Sequence, residues 1–199
     1  MSRGISIEAL VDAVEAARPR PSVVVPTMSA VHPYVARGLS PWDFAYLPSS
    51  MGQAVPFALG VALGRPDLPV CALVGDGSLV MNLGCLSTAT EAAARNLRIV
   101  VVRNGVYQVT GGQAVVGGEA VDLVAVARGC GLPHAWRLED GADPVVALRA
   151  LFAADGCALL DVPVTPVDDA PPARSPGPAA ARFERWRRRL VGDPPEGDA

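Results

Sequence analysis

The chain has 199 residues, half of them hydrophobic, enough for one domain with a sizeable core and hardly enough for two. Its formal charge is −3 and it contains no lysine, so no global attraction draws it to nucleic acid or to an acidic membrane surface. No apolar run approaches the roughly 18 residues of a membrane span, and charges break up the apolar residues at the start, so a cytoplasmic protein is expected.

In chain order, Ile7, Leu10, Val11 and Val14 recur at helical spacing and predict a helix over 6–17. PSVVVP (21–26) reads as a short β-branched strand. Residues 27–48 are expected to be irregular, with Pro33, Pro41 and Pro48 limiting regular structure. GQAVPFALGVALG (52–64) reads as a buried small-residue helix, PVCALV (69–74) as a strand buried on both faces, NLGCLSTATEAAAR (82–95) as a further helix and LRIVVV (97–102) as another buried strand. A Gly-rich loop spans 104–118. A helix at 122–131, a short strand near AWRL (135–138), a helix at 144–153 and a strand, CALLDV (157–162), follow. Continuous apolar strands alternating with helices imply an α/β class, an open, mostly parallel sheet with helices on both faces, in a single domain over 1–165.

The composition then changes. Residues 166–181 read as a Pro/Ala-rich linker, and 182–199 as a basic helix and tail. That helix is either a solvated, frayed tail or a docking helix for a partner, with Phe183, Trp186 and Leu190 as anchors. Cys71, Cys85, Cys130 and Cys157 form no metal-ligand spacing and read as buried small hydrophobes.

Ligands of open α/β sheets bind beyond the carboxyl ends of the strands. Two segments fall there: Gly75-Asp76-Gly77-Ser78 and Asn104-Gly105-Val106-Tyr107. Residues 78–103, room for one helix and one strand, lie between Gly77 and Asn104, so both segments return to the same sheet edge. Asp76 and Asn104 offer hard oxygen ligands suited to Mg²⁺ or Ca²⁺, and Mg²⁺ pairs such ligands with phosphate oxygens. Taken singly, Asp76 is equally well a turn or N-cap residue and Asn104 a second turn residue. Together they favour a metal-bridged diphosphate site.

GDG, then 26 intervening residues, then Asn resembles the thiamine diphosphate fingerprint. The surrounding segments SSMGQAVPFALGVALGRPD, GDGSLVMNLGCLSTATEAAARNLRIVVVRNGVYQVTGGQ and VDLVAVARGCG, roughly 47–160, resemble the diphosphate-binding domain of sulfopyruvate and phosphonopyruvate decarboxylases. The resemblance implies thiamine diphosphate and Mg²⁺ as cofactors. It places Asp76, Asn104 and the Val106 carbonyl on the metal. Backbone N–H groups of Gly77 and Ser78 would meet the diphosphate, with Gly75 and Tyr107 beside them. Met51 would support the bent cofactor, although an ordinary core methionine is its reading without the fingerprint. The Ser49 carbonyl would accept the aminopyrimidine amino group, with Ser50 and Gly52 in the same loop. TGGQ (110–113) would form a loop over the site, bringing Gln113 near substrate.

The implied activity is decarboxylation of a small 2-oxo acid. The family's catalytic glutamate belongs to a pyrimidine-binding domain. About 46 residues precede the match, too few to form that domain, so a partner subunit of α type in a hetero-oligomer is expected to supply it. Arg103 stands where the family has Asn or Asp, and Thr27, His32 and Arg37 stand in a segment that matches it poorly. His32 is open to reading as a proton shuttle or as a surface histidine. The alternatives are an acetolactate synthase-like carboligase subunit, the β subunit of a 2-oxoacid oxidoreductase, and a non-catalytic cofactor-binding module.

Overall fold

The computed structural model describes residues 4–167 and 177–192; most of the linker expected at 166–181, and the tail beyond 192, lie outside them. Helix α1 (Ile7–Ala17) starts at Ser6, whose side chain accepts the Ala9 N–H, and ends where Pro19 forbids continuation. Strand β1 (Val23–Pro26) leads through a 3₁₀ turn at Met28–Ala30 into α2 (Val31–Arg37). Then come α3 (Ala54–Gly64), β2 (Val70–Gly75), α4 (Asp76–Val80), α5 (Gly84–Glu91) and β3 (Leu97–Arg103). A small hairpin follows, β4 (Val106–Tyr107) with β5 (Gln113–Ala114). The chain continues through α6 (Leu123–Gly129), β6 (His134–Arg137), α7 (Pro144–Ala153), β7 (Ala158–Pro163) and α8 (Ala179–Val191).

Five strands form one parallel sheet in the order β1-β2-β3-β7-β6. Alternation along each strand divides the core in two. Val23, Val25, Ala72, Val74, Ile99, Val101 and Leu159 face α3, α5 and α6. Val24, Cys71, Leu73, Val100, Val102, Leu160 and Val162 face α1 and α7. Both faces are covered, which is why the strands read as unbroken apolar runs. Burial pushes the thiols of Cys85 and Cys157 up to about 11 and that of Cys71 to about 12.

Three segments differ from the sequence expectation. Residues 28–37 are helical, because Pro33 falls in the first turn of α2, where its missing N–H leaves no helical bond unmade. The helix expected at 82–95 is shorter, α5 alone, ending at Glu91 just before Ala93 at φ +49°, and a separate short helix, α4, precedes it from Asp76. Inside the Gly-rich loop, Val106 and Tyr107 pair antiparallel with Ala114 and Gln113.

One face of the basic helix α8 packs against the chain itself. Trp186 is buried; its ring stacks on the chain's own Phe57 and lies tilted against Phe44, at 5.7 and 4.8 Å between centroids. Phe183 meets Phe44 edge-on, and Leu190 packs against the same cluster.

Candidate functional site

The site residues gather at the carboxyl ends of β1, β2 and β3. β2 runs straight into α4, so Asp76 is the first residue of a helix and is buried there. Its Oδ1 accepts the Gly77 N–H and its Oδ2 accepts the Gly105 N–H, both at 2.8 Å. One carboxylate thus ties the GDG turn to the loop after β3. Burial pushes this carboxyl above its ordinary value; the two N–H donors and the Arg103 charge oppose that push.

Asn104 is oriented on both sides. Its Oδ1 accepts the Val106 N–H at 3.2 Å, and its Nδ2 donates to Gln108 Oε1 at 2.9 Å. The fork in this loop is made possible by Gly105, at φ +73°. On the other side of Asp76, Ser78 Oγ accepts the Gly52 N–H at 2.9 Å, and Asn82 Nδ2 donates to the Gly52 carbonyl at 2.9 Å. The 49–52 loop is therefore fastened to α4, bringing together the three expected cofactor segments. The turn at Gln108–Thr110 lies beside that at Met28–Ala30, so the loops after β1 and β3 also meet.

Asp76 and Asn104 fit a divalent cation: their oxygens each accept backbone N–H groups and retain lone pairs for a hard ion. The hydroxyl of Ser49 is buried without a hydrogen-bond partner, an orphan of the kind a bound polar group satisfies. A Cβ on Gly75 would meet nothing within 4 Å, whereas one on Gly77 would strike the Tyr107 ring. The N–H of Gly77, expected to face a diphosphate, is taken up by Asp76 in this structure.

Arg103 turns away from this cluster. Its Nε lies 2.9 Å from both oxygens of Asp161, and its guanidinium NH2 lies 2.6 Å from Oδ2. Asp161 is fully buried and also accepts from Arg137 Nε at 2.9 Å. His32 lies on α2 and lines a groove with Glu8, Asp12 and Arg37; Arg37 pairs with Asp12. Gln113 is exposed on β5. The sequence reading passed over Asn82, Gln108 and Asp161. Asn82 and Gln108 each follow an expected cofactor or metal position, Ser78 and Asn104, by four residues, a detectable signal. Asp161 is a carboxylate inside an apolar strand, a signal of the same kind that singled out Asp76.

Together, the parallel sheet and the paired oxygen donors beyond β2 and β3 define a cofactor-binding α/β domain. Residues 27–162 match the family model of the thiamine pyrophosphate enzyme C-terminal TPP-binding domain, and the chain belongs to that family. It is 41% identical over 160 residues to a phosphonopyruvate decarboxylase of Streptomyces viridochromogenes, covering 77% of this chain and 38% of that protein. It is 40% identical over 127 residues to sulfopyruvate decarboxylase subunit beta of Methanothermobacter thermautotrophicus, covering 64% of each. Benzoylformate decarboxylase from Polynucleobacter necessarius shares the fold, with a TM-score of 0.68 at 20% identity over 83% of this chain and 34% of that one. Among the described residues no helix is long and apolar enough to cross a membrane.

Proposed function

We propose that the chain is the diphosphate-binding subunit of a thiamine diphosphate- and Mg²⁺-dependent decarboxylase of a small 2-oxo acid. A pyrimidine-domain partner subunit completes it. The observation that carries this reading is the Asp76 carboxylate, buried and linking the GDG turn to the Asn104 loop. Asp76, Asn104 and the carbonyl of Val106 would hold the metal, a hard cation that would offset the negative charge of a diphosphate. Thiamine diphosphate, when bound, supplies an electron sink for loss of CO₂.

In this reading the protein's part is to hold and orient. Ser78 and Asn82 fix the 49–52 loop, so that the Ser49 carbonyl and Met51 present a set surface to the aminopyrimidine. The glutamate that protonates that ring belongs to the partner; a relative named as a subunit beta supports this arrangement. Arg37 and Arg103 are engaged by Asp12 and Asp161, so a cation for a sulfonate or phosphonate group also falls to the partner. Four free cysteines suit a reducing cytoplasm.

The test is co-purification with a pyrimidine-domain partner, then CO₂ release across 2-oxo acids with Mg²⁺ and thiamine diphosphate. Full activity of the chain alone would overturn the two-subunit reading. Cofactor binding that survives Asp76→Ala would overturn the metal site.

A further inference from the structure

The segment before the cofactor loop carries an unexpected attachment. Residues 42–47 belong to no regular strand, yet they run alongside β1: Phe44 and Tyr46 donate their N–H groups to the carbonyls of Val24 and Pro26, at 3.0 and 3.1 Å. On one flank Asp43 is buried against Arg18, at 2.5 and 2.9 Å, and accepts the Val24 N–H at 3.0 Å. The segment thus extends the sheet past β1, and its outward carbonyls need donors.

Those donors come from α8, some 140 residues later. Arg182, only 8% exposed, donates to the Ala45 carbonyl at 2.7 Å and also to that of Leu47. Trp186 Nε1 donates to the Trp42 carbonyl at 2.8 Å. The Arg182 guanidinium also lies over the Phe44 ring, and Arg65 returns a bond to the Leu190 carbonyl. A flexible cation is thus immobilised on neutral carbonyls, with no carboxylate among its hydrogen-bond acceptors in the described residues. Two residues after Leu47 the chain reaches Ser49.

We propose that α8 is a fastener for the cofactor loop, with Arg182 and Trp186 as positioning residues that hold 42–47 and so fix the backbone of 49–52 against Ser78. This rests on the reading of 49–52 as a cofactor loop. Without the fastener the loop would be in its binding form only part of the time. If that fraction were a tenth, apparent cofactor affinity would fall about tenfold.

The test uses the full chain with Arg182→Met, which keeps the stem and removes the guanidinium, and Trp186→Phe, which keeps a ring and removes the donor. Arg182→Lys tests rescue, and the exposed Arg185→Ala is the control. Hydrogen exchange should quicken in peptides covering 43–53 while β2 and β3 keep their protection. Thiamine diphosphate binding with Mg²⁺ should weaken about tenfold, with partial recovery in Arg182→Lys and no change in Arg185→Ala. Unchanged exchange at 43–53, or an equal rise across β2 and β3, would overturn the fastener. Faster exchange with unchanged cofactor affinity would overturn its positioning role. Failure of the unmodified chain to bind thiamine diphosphate, alone and with its partner, would instead sink the cofactor reading, and the positioning role with it. The exchange result would still decide whether α8 holds the segment.

Discussion

A methyl group on Gly77 would lie 2.4 Å from Cε1 of Tyr107 and 2.9 Å from Cγ2 of Val115. The glycine between Asp76 and Ser78 is therefore required by the aromatic ring laid across the turn. Gly77→Ala should push that ring and β4 outward, at an overpacking cost of about 1–3 kcal/mol. Thermal denaturation should show a lower melting temperature, and calorimetric titration a cofactor affinity reduced more than tenfold; an unchanged pair of values would mean that Tyr107 swings away freely. Asp161 presents the opposite case, a fully buried charge whose partners hold it. Asp161→Ala leaves Arg103, 18% exposed at its side chain, without its carboxylate. Breaking such a pair costs about 3 kcal/mol, the low end for buried pairs because both arginines keep some water. Urea unfolding should show that loss, and Arg103→Ala added to Asp161→Ala should recover part of it. The sequence displays Asp161 as a carboxylate in an apolar strand, but not Arg103 as its partner. That pairing depends on the β3–β7 register, which sets Val101 opposite Asp161 and leaves Arg103 on the diagonal.

Elements were legible where a single period governs them. The helices over 7–17 and 144–153 and the unbroken strands at β2, β3 and β7 follow from spacing and from burial on both faces. The start of α4 at Asp76 was not legible, because β2 passes into it with no intervening loop. The destination of α8 was also hidden: helical spacing shows that Phe183, Trp186 and Leu190 share a face, not what covers it. The outer face of α8 supplies a prediction of its own. Its Glu184 carboxyl is held down to about 2 by bonds from Arg187 and Arg188. A depressed folded value means that the support is present above the ordinary glutamate value of 4.5 and is lost as pH falls toward about 2. Hydrogen exchange in α8 should therefore be slower in the native chain than in Glu184→Gln at pH 6. The two should converge as pH approaches 2, and added salt should narrow the gap at pH 6. A gap that persisted at low pH would assign the effect to packing.

At the scale of the whole molecule, the site is a meeting of three chain stretches, 49–52, 75–78 and 104–107, brought together by the parallel order of β1, β2 and β3. The fingerprint made the second and third legible as a pair. The fastening of the first through Ser78 and Asn82 depends on tertiary approach, which spacing does not encode. All the metal and diphosphate groups in the proposed reading lie on this chain, while the glutamate for the aminopyrimidine lies on its partner. That division predicts which fragments of the cofactor the chain senses. With Mg²⁺ and thiamine diphosphate at about 100 times the dissociation constant, mass action adds about 2.7 kcal/mol to stability. For a chain of this size that is a rise of roughly 5–10 °C in melting temperature. Inorganic pyrophosphate with Mg²⁺ should retain most of the rise, and unphosphorylated thiamine with Mg²⁺ should give much less. EDTA or Asp76→Ala should abolish it for either phosphate ligand. A rise with thiamine but not with pyrophosphate would mean that the chain grips the ring end, and that Asp76 serves only to tie the GDG turn to the loop after β3.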